Sequence, residues 1–279
     1  MSQPNESILV TGGTSGIGAA CVKALAEAGL GVWVASRSAS RSELPAGTRA
    51  LDLDVGAPDA GAVIARMRAA AEEELGPLAG FVHSAGLVDV LGVLKGARPE
   101  QRLQSEAIYT RALDVHFHGA RRIAEALLPS FVERGRGAVV LIDSAAGLRG
   151  FPGIAAYAAA KHALLGWARC AALEMPAGIS IASVCPYYVD TPMLEAAIEE
   201  RCAASGEDPA AARAVFQSRN PGGQLVPPGD VAGQVLELLR GDPDSNNGRV
   251  VVLDGGTPRD LPERREPGLE VPLTPESLS

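Results

Sequence analysis

Short runs rich in Val, Ile and Leu recur along the chain: SILVTGG (7–13), GVWVAS (31–36), TRALDLDV (48–55), GFVHSAG (80–86), GAVVLIDS (137–144), ISIASVCP (179–186) and GRVVVLDGG (248–256). Continuous apolar runs of this length suit strands covered on both faces. Helical patterns lie between most of them, at 15–28, 58–75, 104–134, 155–175 and 229–240, and Gly29, Gly76 and Gly178 stand where helix C-caps belong. Strand–helix alternation predicts an α/β fold, a doubly wound parallel sheet of about seven strands with helices on both faces. No second core or internal repeat is visible, so residues 1–257 read as one domain. Within it, 191–228 is a long helical excursion, a natural lid over a crevice at the strand ends. The Pro- and Glu-rich tail at 258–279 lacks apolar periodicity and is expected to be at least partly disordered.

Composition narrows the class. Of 279 residues, 47% are hydrophobic and 21% charged, enough for a sizeable core. A net charge of -8 argues against a general nucleic-acid or anionic-membrane binder. Cys21, Cys170, Cys185 and Cys202 form no CxxC pair, so no zinc or redox motif is indicated and they read as small buried residues. No His/Asp/Glu spacing suggests a metal. The N-terminus lacks the basic start of a secretory signal, and the most apolar stretch, 154–173, is interrupted by Lys161, His162 and Arg169. The expectation is a soluble, cytoplasmic protein.

The first strand runs into a glycine-rich turn, with Gly12, Gly16 and Gly18 spaced GxxxGxG and Thr14, Ser15 and Ile17 between them. Such a turn lets backbone approach a pyrophosphate and aims free N–H groups of the next helix at it. Thr14 and Ser15 add hydroxyl donors. The end of the second strand then selects the cofactor, because an acid there binds a ribose 2′-hydroxyl and an arginine a 2′-phosphate. Here stand Ser36 and Arg37, with Arg41 nearby, so the reading is NADP(H) rather than NAD(H).

Several motifs in order then resemble the short-chain dehydrogenase/reductase family from about residue 7 to 256. TGGTSGIG resembles its cofactor turn, HSAG (83–86) its NNAG, YAAAK (157–161) its YxxxK and GRVVVLDGG its closing strand. The resemblance implies a Rossmann-type fold. It implies an adenine contact from Asp54 and Val55, cofactor support from Ser84, Ala85 and Gly86, and carboxamide binding by Pro186, Val189 and Thr191. Paired helices between subunits would make a homodimer or homotetramer, and Leu127, Phe131, Leu165 and Trp167 are the apolar residues noted on those helices.

Tyr157 and Lys161, at i and i+4, share one helix face. A neighbouring ammonium lowers a phenol's pKa, which would let Tyr157 exchange a proton with a carbonyl or alcohol oxygen. Small alanines between them suit a helix packed tightly on cofactor and sheet. By resemblance, Lys161 also holds the nicotinamide ribose, and Ser144, thirteen residues before Tyr157, polarises the substrate oxygen.

Three positions depart from the family pattern. His116 replaces an asparagine that helps hold a relay water, which would make the relay sensitive to pH. His83 replaces an asparagine in NNAG, and Tyr187 replaces the glycine of PGxVxT. Tyr187 or Tyr188 is expected to line the substrate site with an aromatic wall or a hydroxyl. The leading reading is an NADP(H)-dependent oxidoreductase interconverting a ketone and a secondary alcohol, as a ketoreductase. An NAD-dependent alcohol or diol dehydrogenase and a non-catalytic dinucleotide sensor are the alternatives.

Overall fold

Strand β1 (Ser7–Thr11) is buried over all five residues, and its side chains go to two different cores. Leu9 joins Phe81, Val139, Leu141 and Ile181 on one face of the sheet, while Ile8 and Val10 join Val82, Val140 and Val184 on the other. Both faces being dry, apolar residues stand at both sets of alternate positions, and the run shows no strict alternation. Each fully buried Leu or Phe is worth about 1.5–3 kcal/mol, so these two cores carry much of the stability.

The computed structural model of the protein describes residues 6–261. In chain order the strands are β1, β2 (Gly31–Ser36), β3 (Thr48–Asp52), β4 (Leu78–His83), β5 (Gly137–Ile142), β6 (Ile179–Pro186), β7 (Val250–Leu253) and β8 (Arg259–Asp260). Their order in the sheet is β3-β2-β1-β4-β5-β6-β7-β8. All neighbours are parallel except β7 and β8. The helices are α1 (Gly16–Glu27), α2 (Ala60–Leu75), the short α3 (Val93–Gly96), α4 (Arg102–Leu113), α5 (Gly119–Arg134), α6 (Ala155–Leu173), α7 (Pro192–Ser205), α8 (Pro209–Ser218), α9 (Pro228–Arg240) and the short α10 (Pro243–Asn246). Residues of α2, α5 and α6 pack in the core that holds Leu9, and residues of α1 and α9 pack in the core that holds Val10. The chain winds from β1 outward to β3, then returns to β4 and winds the other way. That reversal opens a crevice beyond the C-terminal ends of β1 and β4.

The doubly wound α/β sheet agrees with the sequence expectation, with eight strands rather than about seven. The eighth has no apolar run of its own. Two exposed residues, Arg259 and Asp260, are held by pairing with the β7 edge, by the Leu261 amide donating to Val250 O at 2.9 Å and by the Arg249–Asp260 ion pair at 3.2 Å. The tail therefore begins in the sheet, and the remainder of the expectation for it falls on 262–279, outside the described residues. β3 stops at Asp52, three residues short of its apolar pattern. The helix expected at 104–134 runs from Arg102 to Arg134 with one π-helical turn, Asp114–His118, joining α4 to α5. The 191–228 excursion forms α7 and α8, which fold back on the sheet through a bridge between Val189 and Val226. Leu127, Phe131 and Leu165 are at most 1% exposed within the subunit's own cores, so these three offer no surface to a second subunit, while Trp167 is half-buried against the core that holds Leu127 and Phe131. No helix among the described residues is long and apolar enough to cross a membrane.

Candidate active site

The crevice is a cleft of about 800 Å³. One half is built on the β1–α1 turn. Gly12 has φ 69°, and a Cβ there would lie 2.6 Å from the Ala85 backbone on the neighbouring β4 loop. A Cβ on Gly18 would lie 2.1 Å from Gly12 O, so only glycine lets α1 seat against its own turn. Ser15 caps α1 with extended backbone and no side-chain bond, leaving the first-turn amides directed at the cleft. This cradle fits a dinucleotide pyrophosphate. Around it lie Thr14, Gly16, Ile17, Ser36, Arg37, Asp54, Val55, Ser84 and Gly86. Arg41 is not among the cleft's lining residues and stands instead in the field of Asp52.

The other half is built by β5, α6 and the π turn. Ser144 follows β5 with extended backbone, and its hydroxyl accepts from Ala146 N at 3.1 Å. Lys161 is 3% exposed, and its Nζ donates to Ile142 O at 2.7 Å, with the Tyr157 ring centroid 5.7 Å away. Burial lowers the Lys161 pKa, and the nearby Asp143 opposes that shift. The alanines of YAAAK divide their work. Ala160, with Ala156 just before the motif, packs with Ile108 and Ala112 of α4, and Ala158 is buried while Ala159 is exposed, so close helix–helix approach accounts for small residues on the buried side.

Two sequence expectations are corrected here. The Tyr157 pKa is raised, not lowered, because the protein packs around the phenol. The Ser144 hydroxyl opposes this, and the charge of Asp143 adds to it. The Lys161 ammonium is bonded to Ile142 O and does not offset the burial. His116, in turn, is held neutral rather than poised to switch. Its pKa lies well below the usual histidine range, chiefly through burial and then through the charge of Lys161, opposed by the bond to Leu87. Nε2 lies 2.7 Å from Leu87 O, and the ring meets Tyr157 edge to face at 5.0 Å between centroids. The π turn at 114–118 is what places this ring, since the widened backbone brings residue 116 to the cleft. His83 is likewise neutral, its pKa lowered to about 3 by burial first and Lys161 second, and its Nδ1 pairs with Thr11 Oγ1 at 3.0 Å.

A family model described as short chain dehydrogenase matches residues 6–201. The chain belongs to the short-chain dehydrogenase family. It is 31% identical over 253 residues to the 3-oxoacyl-[acyl-carrier-protein] reductase MabA of Mycobacterium tuberculosis, covering 90% of this chain and 92% of that protein. It is 32% identical over 244 residues to a putative ketoacyl reductase of Streptomyces coelicolor, covering 85% and 91% respectively. Among solved structures, a variant of actinorhodin polyketide ketoreductase with NADPH superposes with a TM-score of 0.77 at 27% identity, covering 91% of this chain and 98% of that one. As a short-chain dehydrogenase, the protein is an oxidoreductase of a family that binds nicotinamide dinucleotides.

The lid and the end of β6 close the far side. Tyr187, Tyr188, Val189 and Thr191 line the cleft with Pro186. Thr191 caps α7, and its side chain packs over Gly16 of the cofactor turn. Tyr187 packs with Leu148 and Leu165 behind the strand end, and Tyr188 packs with Phe216 of α8 at 5.2 Å between ring centroids. Asn220 fixes this corner. It is 2% exposed, accepts from Tyr188 N at 2.9 Å and donates to Tyr188 O at 2.9 Å and to Gln224 O at 2.7 Å.

Four contributors had no sequence signal: Phe151, Phe216, Asn220 and Asp143. Each reaches the site through a loop path or a packing choice. Asp143 directly follows β5. It is 2% exposed with neither carboxylate oxygen partnered, and a Cβ on Gly147 would lie 2.6 Å from its Oδ1. The cysteines differ from expectation as well. Cys21 and Cys185 are buried, but Cys170 is exposed and Cys202 half-buried, because α6 and α7 each turn a face outward. No metal-binding cluster occurs among the described residues.

Proposed function

We propose that the protein is an NADP(H)-dependent carbonyl reductase in which Tyr157 is the proton donor. The observation that carries this reading is the convergence of Ser144, Tyr157 and Lys161 on one cleft with the glycine cradle. When bound, the nicotinamide supplies hydride to the carbonyl carbon. Ser144 would hold the carbonyl oxygen and stabilise the charge that gathers on it. Tyr157 would release its hydroxyl proton to that oxygen as the alcohol forms. Burial raises the phenol's pKa, so Tyr157 would enter the reaction protonated, and the phenolate it leaves would need a nearby positive charge. Lys161, anchored on Ile142 O, would hold ribose hydroxyls and stabilise the phenolate left behind. His116 would brace the Tyr157 ring from its edge, with its neutral imidazole available to a relay water. Val189 and Thr191 would orient the carboxamide. A cytoplasmic homo-oligomer completes the reading, tested by sedimentation of the purified protein.

NADP(H) is supported by the rim of the cleft at β2. Arg37 is exposed there with no ion pair among the described residues. The carboxylate opposite Ser36 in the ladder, Asp52, is occupied by the Ser40 amide at 2.9 Å and its hydroxyl at 2.5 Å. A guanidinium on a phosphate is a charge-assisted pair, so Arg37→Ala should weaken NADPH binding about tenfold to hundredfold and NADH binding far less. Fluorescence titration of both cofactors checks this, and an equal loss for the two would place Arg37 outside phosphate recognition. Turnover itself is tested by following NADPH oxidation against a panel of ketones and aldehydes.

A further inference from the structure

The substrate side of the cleft has a defined chemistry. Four aromatic rings form one continuous row. Tyr187 meets Phe151 at 6.4 Å, Phe151 meets Tyr188 at 6.3 Å and Tyr188 meets Phe216 at 5.2 Å, all with interplanar angles of 62° or more. All four line the same cleft as Ser144 and Tyr157. They come from three separate segments, the loop before α6, the end of β6 and α8, so the row exists only in the folded chain. Edge-to-face rows of this kind accept a further flat ring into the same packing. An aliphatic chain would gain only its buried area there.

A cation stands at each end of the row. The Arg149 guanidinium carbon lies 4.8 Å from the Phe151 centroid and 5.5 Å from that of Tyr187, and the Arg219 guanidinium carbon lies 5.6 Å from that of Phe216. Neither guanidinium has a carboxylate within 4 Å among the described residues. Arg219 lines the cleft, whereas Arg149 does not. The other lid arginine that lines it, Arg201, is already committed to Glu207 at 2.6 Å. Glu200 is the carboxylate that the lid contributes to the lining. It bears on the charge of a ligand near α7, so an anion is directed to the α8 end of the row, where Arg219 stands.

We propose that the cleft takes a ketone carrying an aromatic ring and a carboxylate, the ring packed on Tyr188 and Phe216 and the carboxylate paired with Arg219. This rests on the reductase reading and deepens it by naming the substrate class. The ring docks on the lid-side aromatics while the carbonyl reaches Ser144 and Tyr157. The aromatic row sets the preference for a ring, and Arg219 sets the preference for an anion.

The test compares three probes, acetylbenzoate, its methyl ester and the straight-chain oxohexanoate, by NADPH oxidation and by calorimetric titration into the protein saturated with NADP⁺. Acetylbenzoate should show the highest kcat/KM and the tightest binding, by about tenfold over each of the others. Phe216→Ala should shrink the preference for acetylbenzoate over oxohexanoate about three- to tenfold. Arg219→Gln should shrink the preference for the acid over its ester about tenfold or more. A wild-type protein that handles oxohexanoate or the ester as well as acetylbenzoate overturns the inference while leaving the reductase reading intact. Binding in the expected order with no turnover of any probe sinks the reductase reading and upholds the site. If Phe216→Ala and Arg219→Gln lower all three probes equally, their role is structural and the inference fails.

Discussion

Tyr157→Phe is expected to lower kcat for carbonyl reduction by about a thousandfold, equivalent to about 4 kcal/mol of barrier, while NADPH still binds. The substitution removes one oxygen and little else. The phenylalanine ring keeps the edge-to-face contact with His116 and its position beside Lys161. The lost hydroxyl faces the cleft and Ser144, so no donor or acceptor elsewhere in the core is orphaned. A stability change of about 1 kcal/mol or less is therefore expected, because the hydroxyl's partner, Ser144, itself lines the cleft. The proton that the hydroxyl would deliver has no substitute at that distance, since Ser144 is a far weaker acid and Lys161 is turned to Ile142 O. Steady-state turnover and NADPH fluorescence titration on the same preparation read the two effects separately. Turnover within tenfold of wild type would remove Tyr157 from proton transfer, and a parallel loss of NADPH binding would make its role structural.

Asp143→Asn should stabilise the protein at pH 8 by an amount on the order of 3 kcal/mol, and by progressively less toward pH 4. The carboxyl is pushed up to about 7 from an ordinary 3.8, first by burial, with Lys161 and then the Ser144 amide, His162 and Arg169 pulling the other way. A raised carboxyl pKa means that the folded chain holds the proton more tightly than the unfolded one. The stability this contributes is fully present below about pH 4 and is lost as pH rises to about 7. Above that, the fold bears a buried carboxylate whose oxygens have no hydrogen-bond partner. Asparagine carries no charge to bury, so the difference opens across the same window. For a domain of this size that amounts to about 6–10 °C in melting temperature at pH 8. Calorimetric melting at several pH values from 4 to 8 decides it. If the variant is instead less stable at every pH, Asp143 is held ionised as the partner of Lys161, and its attraction for that ammonium exceeds the cost of burial.

Those two residues also mark how far the chain could be read in advance. Tyr157 was legible because its partner lies four residues away on the same helix and because Ser144 stands thirteen residues before it, both local spacings. The glycine turn was legible for a similar reason. Gly12 and Gly18 are needed by a turn that closes on itself, and sequence alone records the absence of side chains there. The direction of the Tyr157 and His116 pKa shifts was not legible. Burial, the largest contribution to both, is a sum over atoms from β4, β5, the π turn and α6. The expected ammonium effect is real as chemistry, yet Lys161 points its Nζ at a backbone carbonyl. Leu127, Phe131 and Leu165 show the same limit. An apolar helix face looks alike in sequence whether its partner is a second subunit or the chain's own sheet, and here it is the sheet.

What the sequence determined by itself is whatever follows from neighbours along the chain: strands covered on both faces, the helices between them, the glycine cradle and the Tyr157–Lys161 pair. The tertiary structure decided what depends on convergence of distant segments. It brought Phe151, Tyr188 and Phe216 into one row, set Asn220 to clamp the end of β6, added β8 to an edge and buried Asp143 behind Ser144. The physical reason is range. Backbone conformation and helical periodicity are fixed within a few residues, whereas desolvation, ring packing and the field of a buried charge depend on what the fold carries in from elsewhere.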